Sequence, residues 1–266
     1  MALSIVTIPA IMRFMSGSEG EEPPGTLFTG LHRAVKDTEV GRFFAFDTTD
    51  RHLGQYWFEA ILFSLSIVLL LSLVAFLAGR RRQKVPRGMQ NFGEAIVDLL
   101  TKLVCGMIGP HGTKYVPYLG TLFLYIFAMN ILGIIPLFRS PTMTLSTTLA
   151  LGITTFFVVQ YCGIRANGVV GYFKHFMGPV LFLAPLMIVV EFIGEVAKPM
   201  SLSLRLYGNI FGEDNVIEKL MHMGGWIPLH LPMLAFAVFT SFLQAFIFMS
   251  LASIYIGTLT THEETH

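Results

Sequence analysis

Between Phe182 and Met223 a mostly apolar run carries Glu191, Glu195, Lys198, Arg205, Glu213 and Asp214. Ionisable groups at membrane depth cost a few kcal/mol each on insertion scales, about 2.5–3.5 at the bilayer centre, so residues of this kind mark functional sites by default. Carboxylates take up and release cations, whereas arginine keeps its charge under essentially all conditions and cannot relay a proton by losing its own. The chemistry open to such a set is that of moving an ion, with the arginine as a fixed positive charge that controls the acids.

Counting about 100° per residue from Glu191, Glu195 falls near 40°, Lys198 near −20°, Arg205 near −40°, Asn209 near 0° and Glu213 near 40°, a stripe of roughly 80°. Gly194, Ser201, Gly208 and Gly212 lie beside it, between roughly −100° and −60° by the same arithmetic, a smooth strip suited to close contact with another helix. Pro199 withdraws one backbone hydrogen bond, and a bend there is where the phase can slip. Some 40 residues at 1.5 Å each give roughly 60 Å, twice the hydrocarbon thickness, so this helix is expected to lie strongly tilted.

The segments KPMSLSLRLYGN (Lys198 to Asn209), FLQAFIFMSL (Phe242 to Leu251) and KYVPYLGTLFLYIFAMNILGIIP (Lys114 to Pro136) closely resemble subunit a of F-type ATP synthases. That family is the stator protein that conducts ions past the rotating ring of c subunits. The resemblance covers Val85 to Tyr255, and its most specific part is the arginine within S-L-x-L-R-L-x-G-N. It implies an essential arginine at Arg205, an asparagine at Asn209, the glutamine of the last span at Gln244 and the inner acid at Glu191. It also implies the c-subunit rotor ring, peripheral-stalk b-type subunits and membrane lipid as partners. The outer acid of the family aligns with Asp214, whereas the face arithmetic prefers Glu213, and either can serve. Where many relatives place histidine or an acid seven residues before the glutamine, this chain has Ala237. His222 or His230, near the external turn, could substitute there; their alternative reading is as interfacial histidines. Glu195 and Lys198, at i and i+3, are either secondary members of the pathway or an ion pair that joins helices.

The physics of the stripe agrees with what the resemblance implies. A fixed cation facing a lipid-embedded rotor carboxylate favours its ionised form, while the apolar medium favours the protonated one. Ion release and rotation then become one event, driven by a gradient worth about 2.3 kcal/mol per charge per 100 mV. Along the axis Glu191 lies roughly 21 Å and Glu213 roughly 12 Å from Arg205, on opposite sides, so the arginine would separate two half-channels.

The elements that position these groups are those of an all-α membrane protein. The chain is 53% hydrophobic and 13% charged, with a mean hydropathy of +0.65, which marks a polytopic membrane protein. A formal net charge of +1 argues against a nucleic-acid partner. No G-x-x-x-x-G-K-[ST] occurs, so a nucleotide-hydrolysing role is not expected, and neither is a cofactor. Cys105 and Cys162 are widely separated in apolar surroundings and are expected to be packing residues without a metal.

Five crossings are expected. A polar segment, residues 1–56, is placed outside, without a signal peptide, and residues 57–266 form a single membrane domain. Trp57 to Gly79 spans first, and the basic cluster Arg80 to Arg87 places its end in the cytoplasm. Met89 to Gly109 fits an amphipathic helix on the inner surface. Val116 to Ile135 crosses outward, with Asn130 as either an interhelical hydrogen-bond donor or part of an aqueous path. Thr144 to Gly163 returns, and Ile164 to Met177, with Arg165, Lys174 and His175, is expected as a cytoplasmic loop. The charged helix follows, then a turn at Gly224 to Pro232 and a last span from Met233 to Thr258. The expected function is ion translocation, of H⁺ or Na⁺, in a bacterial inner membrane or else a mitochondrial or plastid one. The alternatives are a self-contained secondary transporter and a scaffold whose charges only join subunits.

Overall fold

The computed structural model describes residues 51–79, 88–135, 141–177, 184–223 and 231–260. Among these residues there is helix and no strand: α1 (Arg51–Gly79), α2 (Met89–Ile108), a 3₁₀ turn (Pro110–Tyr115), α3 (Val116–Gly133), a second 3₁₀ turn (Pro141–Met143), α4 (Leu145–Met177), α5 (Ala184–Met223) and α6 (Leu231–Thr260). The expected all-α membrane fold is what the chain adopts. Among the described residues four segments are long and apolar enough to cross a membrane: Glu59–Gly79, Pro110–Gly133, Leu145–Gly168 and Leu231–Thr260. The 40-residue α5 joins them as the long charged helix of the stripe. Most of the polar segment at residues 1–50, the basic cluster at 80–87, the turn at 224–230 and the tail lie outside the described residues.

One expectation is corrected. Ile164 to Met177 is helical and continues α4, interrupted at Gly168, whose φ of 68° and ψ of 167° leave the helix. The basic residues there gave a sidedness signal, but the stretch holds no proline, and only one residue needs the positive φ that glycine tolerates without strain. In a straight helix residues 160 and 172 would stand about 18 Å apart. Instead the Tyr172 hydroxyl donates to Gln160 Oε1, so the chain past Gly168 turns back over α4. Asn167 Nδ2 donates to the Leu259 carbonyl near the end of α6 and fastens the bend.

The described residues divide into two compact units that share the long helices. The first holds those up to Ser72, from Phe127 to Thr148 and from Leu206 to Phe242; the second holds Leu73 to Ile126, Leu149 to Arg205 and Leu243 onward. In the first unit Phe63, Ile67, Met129, Leu206, Tyr207 and Ile210 are buried, and Phe127 meets Phe242 edge to face, centroids 6.1 Å apart. Thr142 Oγ1 donates to Asn130 Oδ1 at 3.0 Å, which supplies one partner for a buried amide.

The core of the second unit includes Leu100 and Val104 of α2, Leu119 and Ile126 of α3, and Phe248, Met249 and Ile256 of α6. The amphipathic α2 leaves Phe92 and Leu99 exposed, an apolar face of the kind a surface helix lays on lipid. Helix α4 approaches α5 closely at Gly152. A Cβ there would lie 2.1 Å from Ser203 Oγ and 2.8 Å from the Pro199 carbonyl, closer than real side chains allow.

Candidate functional site

Helix α5 passes through Pro199 without leaving helical geometry. A proline lacks the N–H that would meet the carbonyl four residues back, here that of Glu195. The Ser203 hydroxyl donates to the Pro199 carbonyl at 2.7 Å. The phase counted from Glu191 therefore holds across the proline, and burial follows it. Glu195, Leu202, Ser203, Leu206, Tyr207 and Ile210 are buried, centred at about 80° on the same wheel. On the other flank Ser201 is exposed, and nothing lies within 4 Å of a Cβ placed at Gly194, Gly208 or Gly212. The polar stripe is the rim between these two faces.

Arg205 and Asn209 are on the exposed side of that rim. Among the described residues Arg205 makes no hydrogen bond or ion pair.

Before Arg205 along α5, the second unit holds a connected polar cluster. Glu195 is 4% exposed and uses both oxygens: Oε1 accepts from Lys198 Nζ and Oε2 from Gln160 Nε2 of α4. Gln160 Oε1 accepts in turn from Tyr172, and Lys198 Nζ stands 5.1 Å above the Tyr255 ring of α6. Burial, then the Glu195 and Glu191 carboxylates, push the Tyr172 phenol up to about 12, so it stays an O–H donor. Glu191, one turn before Glu195, is half-buried and makes no hydrogen bond among the described residues.

Beyond Arg205, in the first unit, Glu213 is half-buried and accepts the Thr240 hydroxyl of α6, at 2.7 Å to Oε1 and 2.8 Å to Oε2. Asp214 is its half-buried neighbour on the next 100° of the helix. Ala237 is buried, and its carbonyl lies 3.0 Å from Thr240 Oγ1. The hydroxyl one turn along α6 therefore occupies the neighbourhood where a relay partner was sought at position 237. Gln244, a further turn on, is 1% exposed. The His222 side chain and all of His230 lie outside the described residues.

The sequence reasoning did not single out Thr240, Gln160, Tyr172 or Gly152. Thr240 sits three residues from Ala237 and four from Gln244, on the face of α6 that the search for a relay partner had already marked. That spacing was a usable signal. For Gln160 and Tyr172 there was none, because their meeting depends on the bend at Gly168.

A family model described as ATP synthase A chain matches residues 61–257. The chain belongs to the ATP synthase subunit a family. It is 39% identical over 221 residues to ATP synthase subunit a of Protochlamydia amoebophila, covering 77% of this chain and 81% of that one. It is 40% identical over 216 residues to ATP synthase subunit a 3 of Pelobacter propionicus, 81% of this chain and 92% of that one. To the Campylobacter jejuni subunit a it is 42% identical over 217 residues, 81% of this chain and 94% of that one. As a subunit a family member with apolar spanning helices it is a multi-pass membrane protein, and its place is in the membrane sector of ATP synthase. The match takes in Arg205, Asn209, both groups of acids and Gln244.

Proposed function

We propose that this chain conducts ions through two half-channels past the c-subunit ring of a bacterial inner-membrane ATP synthase, held as stator by b-type stalk subunits. Arg205 is the fixed charge between the half-channels. A rotor carboxylate arriving from lipid gives up its ion on meeting this cation and takes another before returning to lipid. Glu191 serves the inner side, Glu213 or Asp214 the outer, with Asn209 and Gln244 lining the passage near the arginine. Thr240 takes the position of the missing relay partner: its hydroxyl can donate to Glu213 while accepting from water.

The observation that supports this most is Arg205 itself. It is exposed on α5 and makes no ion pair among the described residues, beside glycines with open space above them. A buried arginine that only held helices together would be paired within the chain; one that acts on a passing partner is left uncovered until that partner arrives.

The test is Arg205→Ala in the assembled enzyme in vesicles. Gradient-driven ATP synthesis is expected to vanish while the rotor ring still co-purifies. Arg205→Lys is expected to fail almost as badly, since lysine loses the planar fork and can shed its proton in an apolar site. Substantial synthesis by the alanine variant would overturn the mechanism, and loss of the ring from the purified complex would make Arg205 a structural charge.

A further inference from the structure

The inner cluster contains a carboxylate that the family reading does not require and that the structure holds unusually firmly. Glu195 is buried, and each oxygen has its own donor, one from α5 and one from α4. The Gln160 amide is held in one orientation because its oxygen already accepts from Tyr172. Flipped, it would present an oxygen to the carboxylate, acceptor against acceptor. Tyr172 is in place only because α4 breaks at Gly168 and Asn167 binds the Leu259 carbonyl. Elements α4, α5 and α6 thus all converge on a single acid.

We infer that Gln160 and Tyr172 are positioning residues for inner-side ion passage, which clamp Glu195 against Lys198 and leave Glu191 as the carboxylate that meets the ion. The inference rests on the ion-conducting reading above. An amide neither gains nor loses a proton under ordinary conditions, so the Tyr172–Gln160–Glu195 chain is a clamp and no proton wire. Glu195 already has a donor on each oxygen and the Lys198 ammonium at Oε1, so a further cation arriving there competes with Lys198, whereas at Glu191 it does not. Two ionised carboxylates at i and i+4 repel each other; Lys198, pinned to Glu195, cancels that neighbour's charge as seen from Glu191. The groups that face Glu195 and bear on its charge are Lys198 and Glu191 of α5 and Tyr172 of α4, with Tyr255 of α6 stacked under the Lys198 ammonium.

The experiment uses the whole enzyme in vesicles and measures ATP synthesis against inner-side pH under a fixed imposed driving force. Tyr172→Phe removes only the hydroxyl and Gln160→Leu only the amide. Each is expected to move the pH profile by at least about half a unit and to lower the neutral-pH rate by up to about tenfold. The double variant is expected to resemble Gln160→Leu alone, because Tyr172 acts through Gln160. Glu191→Gln is expected to lose more activity than the similarly shaped Glu195→Gln. Unshifted pH profiles, additive effects, or a greater loss in Glu195→Gln would each overturn the clamp. Arg205→Ala run alongside separates the two levels. If it keeps its synthesis, the ion-conducting reading fails; if it is dead while Tyr172→Phe has a wild-type profile, only the clamp fails.

Discussion

Glu195 of the second unit and Glu213 of the first, both on α5, are held in opposite ways. In the second unit Glu195 is fully enclosed, each oxygen held by a donor, within a network that reaches across three helices. In the first unit Glu213 is half-buried, and among the described residues it accepts a single hydroxyl shared between both oxygens. A pinned carboxylate is a fixed charge; one held by a rotatable O–H can exchange what it binds. On the function proposed above, the same residue type on the same helix would serve as scaffold at Glu195 and as carrier at Glu213, and the number of donors would decide which.

The sharpest way to break that contrast is to remove the carrier. Glu213→Gln is expected to lower gradient-driven ATP synthesis at least about tenfold, whereas Asp214→Asn stays within about threefold. Thr240→Val, which deletes the one hydroxyl that Glu213 accepts among the described residues but keeps the volume, should fall between them, since a hydrogen bond to a charged group is worth about 1.5–3 kcal/mol. Synthesis rates in vesicles, normalised to co-purified rotor ring, give the order. A reversed order would assign the outer acid to Asp214 and leave Thr240 as a packing residue.

That order was open in the sequence because two guides disagreed, alignment pointing to Asp214 and helical phase to Glu213. The phase argument depended on α5 staying helical at Pro199, which a one-dimensional pattern does not decide. Much else was legible. Charged residues within an apolar run stand out, so the stripe and the long helix were visible, and α5 begins at Ala184, close to the expected Phe182. Apolar length alone marked the other spans. Hidden were contacts between neutral polar residues, because threonine and glutamine in an apolar span look like ordinary tolerated residues. Gly152 was equally silent: a glycine in a membrane helix suggests close packing without naming the neighbour. The misjudged loop at Ile164 to Met177 arose because basic residues report sidedness, and sidedness does not exclude helix.

A second contrast separates glycines that let this chain close on itself from those that leave a surface open. Gly152→Ala in the second unit would push a methyl into Ser203 and the Pro199 carbonyl, and overpacking of this kind costs about 1–3 kcal/mol. Gly208→Ala in the first unit meets nothing within 4 Å. The amount of chain retained in the purified complex after stepwise heating is expected to fall for Gly152→Ala and to match wild type for Gly208→Ala. If Gly208→Ala has an effect, it should appear in synthesis rate, through the partner that covers the strip. Equal heat sensitivity of the two variants would erase the distinction between internal and open glycines.

The smallest expected effect tests whether the close approach at Gly152 is a matter of backbone or of side chain. Ser203 Oγ is the nearest atom to the missing Cβ, but among the described residues its only hydrogen bond is to the Pro199 carbonyl one turn back. Such back-bonding contributes little to a helix and often bends it slightly. Ser203→Ala alone is therefore expected to change stability by no more than about 0.5 kcal/mol. Nor should it rescue Gly152→Ala, because deleting the hydroxyl leaves the Pro199 carbonyl 2.8 Å from the new methyl. The double variant, heated beside the two single ones, should lose the chain from the complex about as readily as Gly152→Ala. Recovery to wild-type retention would show that the serine hydroxyl alone sets the spacing of α4 on α5, and that the backbone at the proline has room to yield.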